Sequence, residues 1–409
     1  MKTVGLVVEY NPMHNGHAYH FHEAKRVTRA DACVIVMSGN FLQRGEPALV
    51  SKWARTEMAL RAGIDLVIEL PLPFATATAE LFALGAVSIL DRIGIVDSIC
   101  FGSESGELGW IASLAERLAD EPQEFSLKLK HGLATGLSYP SAYAQAAAHL
   151  LQSVPSTDNV LTEPNNILGL NYLLALKRLN SSIQPSTIKR QKAGYHQTSI
   201  TDEQIASATA IRKLIFGEEA GFDELAPYVP SSTLAILRDE FASGRGPLNW
   251  EHFRHPLFHR LLQLAPQELA AFNEVGEGIE YRLIDAAKKT RTVQELLAAA
   301  KNKRYTWNRL QRMLLAVLLN LRKSTLHNLR LKEGAPYARV LGFNEKGRKL
   351  LHEAKRRSTI PLYTNVTDGI HPMLDLDLAA ASVYRLAAPV LGDHPFTEEY
   401  RRPPIVFSE

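Results

Sequence analysis

The stretch from Val4 to His20, VGLVVEYNPMHNGHAYH, decides how this chain is read. Its first five residues, Val4 to Val8, form an unbroken apolar run of the kind found in a strand buried on both faces. Pro12 and Gly16 then break the extended pattern, and AYHFHEAKRVTR continues with helical periodicity. His14, Gly16 and His17 therefore fall at a strand-to-helix turn. Four histidines between His14 and His22 also invite a metal reading. His20 and His22, however, are two apart and belong to different sides of a helix, which speaks against a four-histidine site. A nucleotide reading suits the arrangement better. A helix N-terminus offers unpaired N–H groups and partial positive charge to phosphate, and a glycine there lets the ligand approach the backbone. His14 and His17, three apart on the first turn, can both donate to phosphate oxygens. Donors aimed at the α-phosphate would stabilise the charge that develops there during adenylyl transfer.

Working outward, further apolar runs follow: ACVIVM, DLVIEL, SICFGS and STIKRQ. Amphipathic stretches such as SKWARTEMALRAG and AELFALGAVSILDR lie between them, with Ser51 and Gly63 as helix-start and helix-end signals. Continuous apolar strands alternating with helices predict an α/β fold with a doubly wound parallel sheet, whose ligands bind at the carboxyl ends of the strands. Beyond residue 215 helical patterns dominate, notably TVQELLAAAKNK and YTWNRLQRMLLAVLLNLRK. Two short strand candidates, YARVLGF and TIPLYT, flank NEKGRKLLHEAKRR. The expected division is a nucleotide-binding catalytic domain over 1–215 and a mainly helical domain over 216–409.

The composition is that of an ordinary globular protein of 409 residues, with 46% hydrophobic residues, 22% charged residues and a net charge of +3. Cys33 and Cys100 lie singly in apolar runs, so neither a zinc site nor a disulfide framework is expected, and a reduced cytoplasmic setting is. The apolar start is too short for a signal peptide. The most apolar stretch, 75–96, contains Glu80, Asp91 and Arg92, so no membrane span is expected. Charge is unevenly spread. Residues 301–360 carry sixteen Lys and Arg against Glu333, Glu345 and Glu353, a balance of +13 that leaves −10 for the rest. Such polarity suits a polyanion, although solvated helix faces could also produce it. Aromatic residues interleave with the basic ones in KNKRYTWNR, allowing bases to stack as well as phosphates to pair. Lys301, Lys303, Arg304, Tyr305, Arg309 and Arg312 are the candidate nucleic-acid contacts.

Two other segments support the nucleotide reading. IASATAIRKLI, residues 205–215, is similar to the I-S-S-T-x-I-R signature of HxGH nucleotidyltransferases. Ser207, Thr209 and Arg212 offer hydroxyls and a cation for the β- and γ-phosphates, while Ala208 removes one hydroxyl. SGNFLQRGEPALVSKWAR places Arg44 and Lys52 near the end of the second strand, as cations for triphosphate or a carboxylate substrate. The chain has neither a P-loop nor a G-x-G-x-x-G motif.

Six strings together, VVEYNPMHNGHAYH, SGNFLQRGEPA, FGSE, EPNNILGLNYL, KRYTWNRLQRMLL and YARVLGFNEKGRKLL, resemble the bacterial tRNA(Met) cytidine acetate ligase family. The resemblance covers almost the whole chain. It implies that ATP and acetate form acetyl-adenylate, and that the wobble cytidine of elongator tRNA(Met) takes the acetyl group as N4-acetylcytidine. It also implies an ATP site formed by Val7, Val8, Glu9, Tyr10, Asn11, Pro12, Met13, His14, Asn15, Gly16, His17, Ala18, Tyr19 and His20, together with Gly102, Asn165 and Arg190. Asn166 competes with Asn165 for that role. Magnesium is expected on the phosphates, Arg44 or Lys52 beside the acetate, and tRNA on the basic segment. No metal-ligand set is expected of the protein, and the sequence assigns no oligomeric state. Two other functions stay open on the motifs alone. One is transfer of AMP or CMP to a small phosphorylated metabolite; the other is a non-catalytic RNA-binding protein that senses nucleotide.

Overall fold

The computed structural model describes residues 1–150, 161, 163–190, 206–217, 221–392 and 396–408. Gln191 of STIKRQ and Ile205 of the second motif lie outside them. β1 (Thr3–Val8) leads through the histidine-containing turn into α1 (Asn15–Thr28), and β2 (Ala32–Ser38) leads through a long loop into α2 (Lys52–Arg61). β3 (Leu66–Leu70), α3 (Ala79–Arg92), β4 (Ser98–Ser103), α4 (Pro164–Arg178) and β5 (Gln184–Lys189) complete the first half. β1 to β5 pair in parallel in the order β5-β4-β1-β2-β3. Alternate residues of β2 serve two different cores. Ala32, Val34 and Val36 pack with α3 and α4 on one face, while Cys33, Ile35 and Met37 pack with α1 and α2 on the other. A strand covered on both sides has to be apolar throughout, which is why ACVIVM reads as a continuous run.

After β3 the chain crosses to the far side of β1 to lay down β4, so the direction of winding reverses between β1 and β4. This reversal opens a crevice at the carboxyl ends of the strands.

The sheet does not end at the expected boundary near residue 215. After α5 (Ala208–Ile215), a helical layer includes Ile279–Lys289, Val293–Ala300 and α6 (Trp307–Leu318). The chain then returns as β6 (Ala338–Phe343), which pairs antiparallel with β3 through Ile68 opposite Val340 and Glu69 opposite Arg339. After α7 (Glu345–Arg357), β7 (Leu362–Tyr363) and β8 (Ile405–Val406) add to β6, making a mixed eight-stranded sheet. An antiparallel edge on a parallel sheet is common. Here it covers the exposed edge of β3 with a strand whose Val340 and Leu341 are buried in opposite cores.

The helical layer has its own core, including Leu283, Leu296, Leu310 and Leu314, and this core takes in Phe41, Leu42, Ala48 and Leu72. Phe41, Leu42 and Ala48 belong to the loop that follows β2, and Leu72 to the short helix that follows β3. The helical layer is therefore built onto the carboxyl-end loops, beside the crevice.

Candidate functional site

A cleft of about 270 Å³ lies at this crevice. Val7, Val8, Glu9, Tyr10, Asn11, His14, Gly16, His17, Tyr19 and His20 line it from β1 and α1. Gly102, Asn165, Arg190, Ser207, Thr209 and Arg212 line it from the opposite side, and Arg44 from the β2 loop. Of the expected run 7–20, Pro12, Met13, Asn15 and Ala18 do not line the cleft. Met13 is fully buried in the core, and Asn15 turns away, its side chain donating to the Pro227 carbonyl at 2.8 Å.

His14 caps α1, with its Nδ1 accepting from the Gly16 N–H at 3.1 Å. That bond leaves Nε2 as the N–H of the neutral ring. His14 and His17 stack with ring centroids 3.7 Å apart. Burial, reinforced by the Arg190 and Arg212 charges, pushes His14 down to about 3. Burial and the neighbouring His14, Arg190 and His20 hold His17 well below the ordinary histidine value. Burial and Arg190 bring His20 to about 4. All three rings are neutral at pH 7, so each carries a single N–H and the arginines supply the charge. The Nδ1 of His17 and the Nε2 of His20 are buried and have no hydrogen-bond partner among the described residues. Orphaned polar atoms in a cleft mark a place for a polar ligand.

Each arginine is held by a second group. Arg190 donates to the Asn165 Oδ1 at 3.2 Å, and Asn165 in turn donates to Glu104 Oε1 at 2.5 Å. The Glu104 carboxylate also accepts from the backbone N–H of Asn166 at 2.9 Å, capping the start of α4. Asn166 is fully buried, its Oδ1 accepting from the Glu104 N–H at 3.0 Å and the Ser105 N–H at 3.3 Å. Asn165 thus belongs to the cleft and Asn166 to the frame behind it. Gly102 leaves room for Arg190: a Cβ there would lie 3.2 Å from the arginine Cγ. Arg212 donates to the Asn11 carbonyl at 3.0 Å and pairs with Glu46 at 3.3 Å. Ser207 spends its hydroxyl as the N-cap of α5, accepting from the Ala210 N–H at 3.1 Å.

Lys52 does not reach the cleft. Its Nζ lies 2.7 Å from Glu69 and 2.8 Å from Glu399, with only 1% of the side chain exposed. Arg339 completes this buried cluster, pairing with Glu69 at 3.1 Å and Glu399 at 2.7 Å. Burial alone would raise Glu399, but Lys52 and Arg339 bring it to about 2. The assignment of Lys52 to substrate is therefore corrected: its charge is spent joining α2 to β3, β6 and the Glu398–Arg401 turn. Among the described residues no group of three or more His, Cys, Asp or Glu is placed to hold a metal ion.

Other groups that shape the site were not singled out in the sequence. Glu104 is one. Arg55 is another, fully buried, its guanidinium donating to the Glu9 carbonyl at 2.7 Å, the Ser38 carbonyl at 3.0 Å and the Gly39 carbonyl. It clamps the ends of β1 and β2 together. Burial lowers it to about 10, so it stays charged. Phe101 and Tyr172, with ring centroids 5.7 Å apart, give the cleft an apolar wall.

On the basic segment, Lys301, Lys303 and Arg304 are exposed. Two expected contacts are corrected. Tyr305 is 3% exposed, its hydroxyl donating to the Gly276 carbonyl at 3.1 Å. It also carries Arg309 over its ring at 4.8 Å, so it offers no face to a base. Arg312 forms a fork with Glu274 at 2.6 and 2.9 Å, and only 12% of its side chain is exposed. The exposed aromatic residue in this segment is Trp307, 37% exposed at the start of α6.

Comparison with known proteins places this geometry among relatives. The family model described as HIGH Nucleotidyl Transferase matches residues 1–397. A protein of Acetivibrio thermocellus named tRNA(Met) cytidine acetate ligase is 44% identical over 393 residues, 94% of each chain. One of the same name from Lysinibacillus sphaericus is 40% identical, covering 99% of this chain and 100% of its own. The crystal structure of Thermotoga maritima TmcAL bound with alpha-thio ATP is 33% identical, superimposes with a TM-score of 0.91 and covers both chains fully. The apo form of that protein is 34% identical, with a TM-score of 0.92.

Proposed function

The chain belongs to the tRNA(Met) cytidine acetate ligase family of HIGH nucleotidyl transferases, and from that premise we propose how its cleft performs the reaction. It is an ATP-dependent, carbon–nitrogen bond-forming ligase that modifies tRNA(Met). ATP binds at the turn after β1, with its α-phosphate against the Gly16 backbone and the His14 and His17 N–H groups. Arg190 and Arg212 balance the phosphate charge, with Thr209 beside them. Acetate lies near Arg44 and attacks the α-phosphorus, so that pyrophosphate leaves and acetyl-adenylate remains. The N4 amine of the wobble cytidine of elongator tRNA(Met) then attacks the acetyl carbonyl, giving N4-acetylcytidine and AMP. Magnesium would be held chiefly by the nucleotide and would neutralise phosphate charge. Glu9 and Glu46 are the carboxylates among the described lining residues, which suits a metal ion held chiefly by its nucleotide. The exposed Lys301, Lys303 and Arg304 contact tRNA, with Arg309 near them. Among the described residues no helix is long and apolar enough to cross a membrane. Two buried, unpaired cysteines suit a reducing cytoplasmic setting.

One observation carries this reading. The stacked imidazoles, capped helix and two arginines converge at the switch point of a sheet in a chain about 40% identical to these ligases along its length. Isotope-labelled acetate, ATP, magnesium and unmodified elongator tRNA(Met) should yield labelled acetylcytidine by mass spectrometry of digested nucleosides. His14→Ala should reduce the yield by roughly 10²-fold or more, the usual cost of losing a donor to developing charge. ATP consumption without tRNA labelling would move the reading to a small-molecule acceptor.

A further inference from the structure

We infer that Glu9 is the proton acceptor of the second half-reaction, taking the proton that the cytidine N4 amine loses as it attacks the acetyl carbonyl; this rests on the function proposed above. A cytosine amine is a weak nucleophile because its lone pair is delocalised into the ring. On attack the nitrogen becomes acidic and a nearby base is needed to remove its proton.

The position of Glu9 suits that task. It is the first residue after β1, and it lines the same cleft as His14, Gly16 and His17. One carboxylate oxygen, Oε1, accepts the Gln43 N–H at 2.7 Å and faces the Ser38 hydroxyl at 3.5 Å. The second oxygen accepts no hydrogen bond from a described residue. The backbone beneath is fixed by Arg55, whose guanidinium holds the Glu9 carbonyl at 2.7 Å. A base held by rigid neighbours is preorganised for proton transfer.

Other titratable groups of the cleft are less suited: burial holds His17 and His20 below the ordinary histidine value and makes them weak bases. Glu46 is engaged by Arg212 at 3.3 Å and by Gln311 at 3.4 Å. His14 has its Nδ1 committed to the Gly16 N–H, and burial beside arginines makes it a poor base. Glu9 is affected in the opposite sense: burial raises its pKa above the ordinary carboxylate value of 4.5 and makes it a better base. The charged groups facing it are Arg44 and Glu46 from the β2 loop and Arg55 from α2. The arginines oppose the rise and Glu46 adds to it. Tyr172 of α4 also faces it and is uncharged.

The step balances as follows. The N4 lone pair forms the C–N bond, and the carbonyl oxygen takes up negative charge. Its collapse breaks the bond between the acetyl carbon and the phosphate oxygen, and AMP leaves with that electron pair. The N4 proton passes to the Glu9 carboxylate, which later returns it to water.

The test separates the two half-reactions. Pyrophosphate release is measured with ATP and acetate, and acetyl transfer is measured in single turnovers from supplied acetyl-adenylate to tRNA. Glu9→Gln should lower transfer by roughly 100-fold or more and lower pyrophosphate release by less than about tenfold. The wild-type transfer rate should fall on the acid side, and the Gln variant should lose that limb; Glu9→Asp should restore part of the rate and the limb. Equal loss in both half-reactions, or a Gln variant keeping the wild-type pH profile, overturns the assignment. Wild-type protein that leaves the tRNA unacetylated by supplied acetyl-adenylate overturns the functional reading, and this assignment with it.

Discussion

Three imidazoles in the cleft are held uncharged, and this has a consequence for stability. His14 titrates at about 3 and His20 at about 4 in the folded protein, against about 6.5 in an unfolded chain. Below about pH 6.5 the unfolded chain therefore binds protons that the native state refuses. Stability should fall as pH drops toward 4, by up to about 1.4 kcal/mol per pH unit for each such histidine. Urea unfolding across that range should show the slope, and His14→Asn should flatten it. Bound triphosphate favours the protonated rings, so ATP binding near pH 5.5 should take up protons, measurable by calorimetry in buffers of differing ionisation enthalpy. Lys52 supplies a second prediction at this scale. Lys52→Met leaves Arg339 as the cation paired with both Glu69 and Glu399, and removing one partner from a buried ion cluster costs about 3–5 kcal/mol. The thermal midpoint should fall clearly, with the KM for acetate in the folded fraction little changed. An acetate KM effect without loss of stability would return Lys52 to the site.

Among the elements, the loop between β2 and α2 links the two halves of the enzyme. Gln43, Arg44 and Glu46 on it line the cleft. On its other side, Gln311 of α6 donates to the Arg44 carbonyl at 3.2 Å, and Tyr384 donates to the Ala48 carbonyl at 2.8 Å. Gly45 sits between them with φ +79°, and a Cβ there would fall 2.4 Å from the backbone nitrogen of Arg312. Neither the dihedral nor the space admits a side chain. Gly45→Ala should weaken ATP binding by about 1–3 kcal/mol through displacement of the loop, read by calorimetric titration, with less effect on tRNA affinity. Many of the elements were legible: the five strands of the first half and the helices over 15–28, 52–61 and 79–92 follow from period and capping, both local properties, whereas the helices over 108–150 were not picked out. YARVLGF was legible as a strand, but its antiparallel seat beside β3 depends on which edge remained open.

For the molecule as a whole, α6 connects the exposed cations that precede it to the loop that lines the cleft. The exposed cations of residues 301–304 and Trp307 lie at the start of that helix, and its body carries Gln311 against the cleft loop. Lys301→Glu and Lys303→Glu should weaken tRNA binding and reduce the slope of affinity against salt. Trp307→Ala should cost about 1–3 kcal/mol if a base stacks there. Tyr305→Phe and Arg312→Gln should lower the thermal midpoint and leave tRNA affinity within about threefold, since both serve packing. Filter binding over a range of salt concentrations, with melting curves on the same variants, separates the two classes.

The sequence by itself determined the doubly wound sheet, the turn that carries His14, Gly16 and His17, and the concentration of positive charge in residues 301–360. Each depends on residues close in the chain, where strand period, helix capping and local composition act directly. Only the tertiary structure decided how particular side chains are used. Asn166 was removed from the cleft by Glu104, 62 residues away. Arg312 was taken by Glu274, 38 residues away, and Lys52 by Glu69 and Glu399. A polar or charged side chain that folding buries against a fixed partner is lost to a ligand, and those partners come from parts of the chain that the local pattern does not connect.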